Sequence, residues 1–233
     1  VRLLAERALG EAAGADARIR AGKRLGALDG IPYAVKDNMD TKGDVTSDGL
    51  APRGKPPAVA DAPVIARLRD AGAVLLGKLN LHEGALGATT DNAYFGRCHN
   101  PWRAGFTPGG SSGGSGAAVA ARLATFALGT DTMGSIRIPA AYCGCVGFKA
   151  SYGLVSNRGV TPACDALDHV GPLARTVNDA ALVLRVLADP DPGWPGSAAP
   201  PAHWSPLPAD LPDLSGIRLR LVGAVEKFDI DAA

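Results

Sequence analysis

The stretch "AVADAPVIARLRDAGAVLLGKLNL", residues 58–81, decides the fold class. Val64, Ile65, Leu68 and Ala71 recur at helical spacing, so one face of a helix is apolar. Gly72 suits the helix end, because glycine adopts the left-handed backbone that closes a last turn. "AVLLGK" then reads as a buried strand. A helix that runs directly into an apolar strand is the repeating step of an α/β architecture.

Working outward, residues 1–22 are rich in Ala, Arg, Glu and Leu at helical spacing and read as an amphipathic helix near the edge of the fold. "LDGIPYAVKDN" (28–38) is a turn followed by a short apolar strand ending at Lys36 and Asp37. Residues 88–110 carry many turn formers and aromatics and read as a long ordered loop. Helix propensity is strong from Ala117 to Arg122, "ATFALGTD" reads as a strand, and a further helix is expected to begin near Ser135 or Ile136. Residues 176–188 form an amphipathic helix with Thr176 or Asn178 at its cap. Residues 1–188 are therefore taken as a core. Residues 189–213, eight of them Pro, are taken as an exposed, extended connector, and residues 214–233 as the start of a further strand over 217–225.

Composition limits the function. The 233 residues suffice for an α/β domain with a real core, and the net charge of +1 gives no electrostatic case for nucleic acid or an anionic membrane. Neither a signal-peptide pattern nor a run of eighteen apolar residues is present, so a cytoplasmic protein is expected. The four cysteines, Cys98, Cys143, Cys145 and Cys164, form no C-x-x-C pair and are expected as buried free thiols. No metal or cofactor motif is read.

"GGSSGGSG" (109–116) admits a flexible linker, a phosphate loop or a catalytic turn. The Lys-Ser/Thr ending of a phosphate loop is missing, and a helix-forming run follows at once, which weakens the first two readings. A serine nucleophile needs a base. His82, His99, His169 and His203 lie in no triad pattern, and no G-x-S-x-G elbow exists. A neutral lysine can serve instead. Lys36, Lys78 and Lys149 all close apolar runs, and composition does not choose among them.

"GIPYAVKDN", "PGGSSGGSGAAVAA" and "GTDTMGSIRIPAAYCGCVGFKASYGLVS" resemble the amidase signature family over about residues 25–188, and "DHVGPLARTVNDAALVL" has the same character. The resemblance implies a central mixed β-sheet flanked by helices, of which this chain is the N-terminal half. It implies Lys36 as catalytic base, Ser111 as a cis-peptide serine bridging base and nucleophile, and Ser135 as the acylated nucleophile. The backbone N–H groups of Thr132, Met133, Gly134 and Ser135 would form an oxyanion hole. Ser112, Asp131 and Arg137 are expected as supports, Ser112 by capping its helix or bracing the loop, and Asp168 as a more distant one.

The chain departs from the family pattern in three ways. Met133 stands where a small residue is common, so its side chain could narrow the pocket. Lys149-Ala150-Ser151 replaces Lys-Pro-Thr. The chain is also about half the usual length, which leaves apolar surface and a sheet edge open to association, as a homodimer or with a missing C-terminal half. Three functions are implied: hydrolysis of a small carboxamide through a Ser-Ser-Lys triad, release of ammonia from glutamine as the glutaminase component of an amidotransferase, or a non-catalytic remnant.

Overall fold

The computed structural model describes residues 1–52, 54–201, 204–206, 215, 216 and 218. The strand expected over 217–225 and the side chain of His203 rest on residues outside these.

Eight strands and five α-helices follow one another along the described chain: β1 (Arg2–Leu3), α1 (Ala5–Arg20), β2 (Pro32–Lys36), α2 (Pro63–Asp70), β3 (Val74–Leu79), β4 (Asp91–Asn92), β5 (Gly96–Arg97), α3 (Gly113–Ala120), β6 (Phe126–Asp131), α4 (Arg137–Cys143), β7 (Val146–Gly147), β8 (His169–Ala174) and α5 (Val177–Leu187). Six strands form one sheet in the order β1-β3-β2-β6-β8-β7, and β4 and β5 form a small hairpin. The central strands β3, β2 and β6 run parallel, whereas β1, β8 and β7 pair antiparallel. The sheet is therefore mixed and flanked by helices, as expected.

Side-chain alternation sorts the core. Tyr33 and Val35 of β2, Phe126 and Leu128 of β6, and Val170 of β8 pack with Ile65 and Leu68 of α2 and with Val183, Leu184 and Leu187 of α5. Tyr33 and Phe126 stack with ring centroids 5.1 Å apart. Ala127 of β6 and Leu173 of β8 point the other way, into a second cluster with Val119 of α3 and Ile136 and Ala140 of α4. Thr176 caps α5 by accepting the N–H of Asp179 at 3.1 Å.

The structure differs from the sequence expectations in several places. Residues 1–22 are not helical throughout, because Arg2 and Leu3 first pair with Lys78 and Gly77 at the sheet edge. Helix α3 begins at Gly113, inside the Gly/Ser stretch. Its glycines are packing residues: a Cβ at Gly113 would lie 2.3 Å from Thr90 Oγ1, and one at Gly114 would lie 2.4 Å from the Asn80 carbonyl oxygen. Strand β8 has no clear signal in the sequence, because it carries Gly171 and Pro172, residues that weaken a strand pattern. A Cβ at Gly171 would meet the Phe148 carbonyl oxygen at 2.1 Å.

A further difference is the Pro-rich segment. Its first part is docked rather than extended into solvent. Buried Asp191 accepts from Ser156 Oγ at 2.6 Å and from Arg158 at 2.9 and 3.0 Å, and the Ala198 N–H donates to the Gly153 carbonyl at 2.9 Å. The cysteines are all free, but the expected burial holds only for Cys143: Cys98 and Cys145 are partly covered and Cys164 is exposed.

Candidate active site

Strands β2 and β6 lie side by side in parallel, Val35 opposite Leu128, so Lys36 and Thr130 come together at the same end of the sheet. The peptide bond between Gly110 and Ser111 is cis. Lys36 is fully buried, and its Nζ lies 2.6 Å from Ser111 Oγ and 2.7 Å from Thr130 Oγ1. The Asn38 amide donates to the same threonine oxygen at 3.1 Å. Burial pushes the Lys36 ammonium down to about 7, against weaker raising effects of Asp48, Asp168 and Asp131. A sizeable neutral fraction, able to accept a proton, therefore exists near neutral pH.

The other two lysines are committed elsewhere. Buried Lys78 pairs with Asp37 at 2.8 Å, and Lys149 Nζ lies 3.2 Å from His169 Nε2. His82 Nδ1 sits 3.3 Å from the Thr89 hydroxyl, and His99 accepts the Gly105 N–H at 3.3 Å. Among the described residues, no histidine bonds to Ser135.

The two serine-bearing loops are tied together. The Ser112 N–H donates to the Ser135 carbonyl at 3.1 Å. Ser112 Oγ donates to the Thr130 carbonyl at 3.1 Å and accepts the Thr130 N–H at 3.2 Å. Ser112 occupies the position before α3, but its side chain makes no capping bond, so of the two expected supports it provides the brace and not the cap.

Asp131, at the end of β6, organises the turn into α4. Its carboxylate accepts the N–H groups of Gly134 at 2.8 Å, Ile136 at 3.1 Å and Arg137 at 3.3 Å, and the Arg137 guanidinium binds both oxygens at 3.0 Å. Hydrogen bonds from Arg137 and from these backbone groups outweigh burial and hold the Asp131 carboxyl below its ordinary value. The turn changes one expectation: the Gly134 N–H is consumed by Asp131 and is not free to hold an oxyanion. The N–H groups of Thr132, Met133 and Ser135 carry no hydrogen bond among the described residues. Gly134 has φ 130°, a conformation that suits glycine.

Ser135 opens onto a cavity of about 490 Å³ that is also lined by Gly110, Thr132 and Met133. Its wall is apolar, with Leu86, Ile138 and Leu167. Met133 and Leu86 are 83% and 77% exposed, so Met133 stands at the rim and leaves the loop backbone open. Cys164 lines the same cavity. Asp168 shapes that wall: it accepts the Thr132 hydroxyl, the Ala163 N–H at 2.8 Å and the Cys164 N–H at 2.9 Å. Sequence reasoning missed Thr130 and Asn38, although both lie inside motifs already singled out.

The family model described as Amidase matches residues 1–219. The chain belongs to the amidase family. The glutamyl-tRNA(Gln) amidotransferase subunit of Anaeromyxobacter sp. (strain K) is 54% identical over 190 residues, which are 81% of this chain and 38% of that relative. A solved, inhibitor-bound vestigial protein complex bearing on the origins of an s-triazine catabolic enzyme aligns with a TM-score of 0.84 and 46% identity, over 85% of this chain and 44% of that one. Native peptide amidase from Stenotrophomonas maltophilia aligns with a TM-score of 0.78 and 46% identity, over 84% of this chain and 41% of that one. The chain thus spans about two-fifths of the length of these relatives, consistent with an N-terminal half. No helix among its described residues is long and apolar enough to cross a membrane.

Proposed function

We propose that this chain carries the acylating machinery of an amidase that cleaves a carboxamide C–N bond. The observation that carries the reading is the buried contact of 2.6 Å between Lys36 Nζ and Ser111 Oγ, beside a cavity onto which Ser135 opens. Neutral Lys36 takes the Ser111 proton while Ser111 takes that of Ser135. The Ser135 oxygen then attacks the amide carbonyl. The N–H groups of Thr132, Met133 and Ser135 meet the developing oxyanion, each such donor being worth roughly 3 kcal/mol in the transition state. The proton returns through the relay to the departing amine, and water attacks the acyl-enzyme by the same route. A cytoplasmic setting and a small-molecule substrate belong to this reading.

The apolar wall of Leu86, Ile138, Met133 and Leu167 supports an uncharged acyl group. The identity to the amidotransferase relative supports a second reading, in which ammonia is released from glutamine for partner proteins. The two separate by assay. An amidase acts on simple carboxamides without partners, whereas the second reading requires glutaminase activity that appears only with them.

The direct test of the machinery is covalent. A fluorophosphonate adds its mass to Ser135 of the folded chain, as read by intact-mass and peptide spectrometry, and Ser135→Ala abolishes the adduct. A folded chain that takes up no label is instead a catalytically silent remnant.

A further inference from the structure

Asp48 is the buried acid that this mechanism leaves unused. The residue is 7% exposed, and its Oδ1 has no hydrogen-bond partner. A carboxylate held away from water with a bare oxygen is costly unless a nearby charge compensates it. Its backbone position is fixed on both sides. The Asp48 N–H donates to the carbonyl of Asp37, the residue after Lys36, at 2.8 Å, and its own carbonyl accepts the Gly84 N–H at 2.9 Å, next to the cavity wall. Its φ of 58° is a left-handed conformation that Asp and Asn tolerate better than other side chains.

Lys36 presents the complementary situation. It touches two hydroxyl groups, and among the described residues no carboxylate lies within ion-pair distance of it. Three carboxylates act on it from farther away: Asp48, Asp168 and Asp131. Two of these are engaged by other groups. Asp131 is bound by Arg137 and three N–H groups, and Asp168 by a hydroxyl and two N–H groups. Asp37 is paired with Lys78. Burial acts most strongly on Asp48 and raises its carboxyl; the charges of Lys36 and then Lys55 pull it down, and those of Asp37 and Asp168 push it up. Lys55 donates to the carbonyls of Thr46 and Ser47 at 3.5 and 3.2 Å.

We propose that Asp48 is the remote counter-charge of Lys36, a positioning residue that stabilises the ammonium formed when the relay delivers its proton. The proposal rests on the Lys36–Ser111–Ser135 relay set out above. In that step the Ser135 O–H bond breaks and its proton passes to Ser111. The Ser111 proton forms a new N–H bond with the Lys36 lone pair, and the Ser135 electron pair goes to the carbonyl carbon. Burial pushes the Asp48 carboxyl up to about 6, still below the Lys36 value of about 7, so Asp48 is ionised where Lys36 titrates and exchanges no proton in this step. Its field makes Lys36 a stronger base, but it also delays the appearance of the neutral amine as pH rises.

Removing the charge therefore moves two quantities in opposite directions. In Asp48→Asn, whose side chain is isosteric and suits the same φ, the acid limb of fluorophosphonate labelling of Ser135 shifts to lower pH by about tenfold in proton concentration. The plateau rate at high pH falls several-fold, because a weaker base drives proton transfer less well. A merely structural role would scale the whole profile without moving its midpoint. The same midpoint is read independently of reactivity by NMR titration of the Lys36 side chain in the full chain carrying labelled lysine. Absence of Ser135 labelling in the wild type would overturn the relay, yet a lower Lys36 midpoint in Asp48→Asn would still establish the coupling. An unchanged midpoint overturns the proposal. Asp48→Gly, equally at ease at this φ, gives the same test if the Asn variant does not fold.

Discussion

Burying Lys36 without an ion-pair partner penalises its charged form and favours the free amine that the proposed relay needs. Lys36→Met should lower Ser135 labelling by about 10²–10⁴-fold, the range for loss of a general base. It should also change how stability depends on pH. The folded-state value of about 7 lies below the unfolded 10.5, so between them the unfolded chain binds more protons at this site. Stability from Lys36 therefore rises with pH across that window and is lost as pH falls towards 7. Urea unfolding of both proteins at pH 6 and 9 checks the sign: the wild type gains on the variant at the higher pH. At this scale the sequence was partly legible. Motif resemblance singled out Lys36, Ser111 and Ser135, but composition could not separate Lys36 from Lys78 and Lys149. What separates them is partners distant in sequence: Ser111 and Thr130 for the first, Asp37 for the second, His169 for the third. Asp48 was invisible for the same reason.

At the scale of the element, the glycines of α3 exchange helix propensity for close approach. A methyl group at Gly114 would lie 2.4 Å from the Asn80 carbonyl oxygen, so Gly114→Ala should cost about 1–3 kcal/mol through overpacking. Gly10, on the exposed face of α1, has nothing within 4 Å of its ideal Cβ, and Gly10→Ala should stabilise by about 0.5–1 kcal/mol. Chemical denaturation of the pair measures both signs in one protein. This contrast also explains which elements could be read in advance. Strands β2, β3 and β6 and helices α2 and α5 follow their own periodicity. The start of α3 and strand β8 are set by what packs against Gly113, Gly114 and Gly171, which local pattern does not contain. The two-residue strands β1 and β7 are too short to carry a period at all.

For the whole molecule, the segment after α5 closes against the loop at Tyr152–Arg158. Asp191 is its anchor, its carboxyl held down to about 2 chiefly by hydrogen bonding to Arg158. Asp191→Ala should free this stretch, and limited proteolysis should then cut between residues 190 and 200 while the core survives. Proline content suggested an extended connector because composition reports backbone stiffness and not the partner that fixes a particular stretch. The reciprocal pairing of Ser112 with the Thr130 backbone has a consequence at the same scale. It inserts a side chain where a neighbouring strand would supply a peptide group, so the turn bearing Ser111 is stitched to β6 as an extra rung. The site and the sheet then form one cooperative unit. Warming should extinguish reactivity together with the sheet's amide protection and not ahead of it, which makes a surviving label a thermometer for the fold itself.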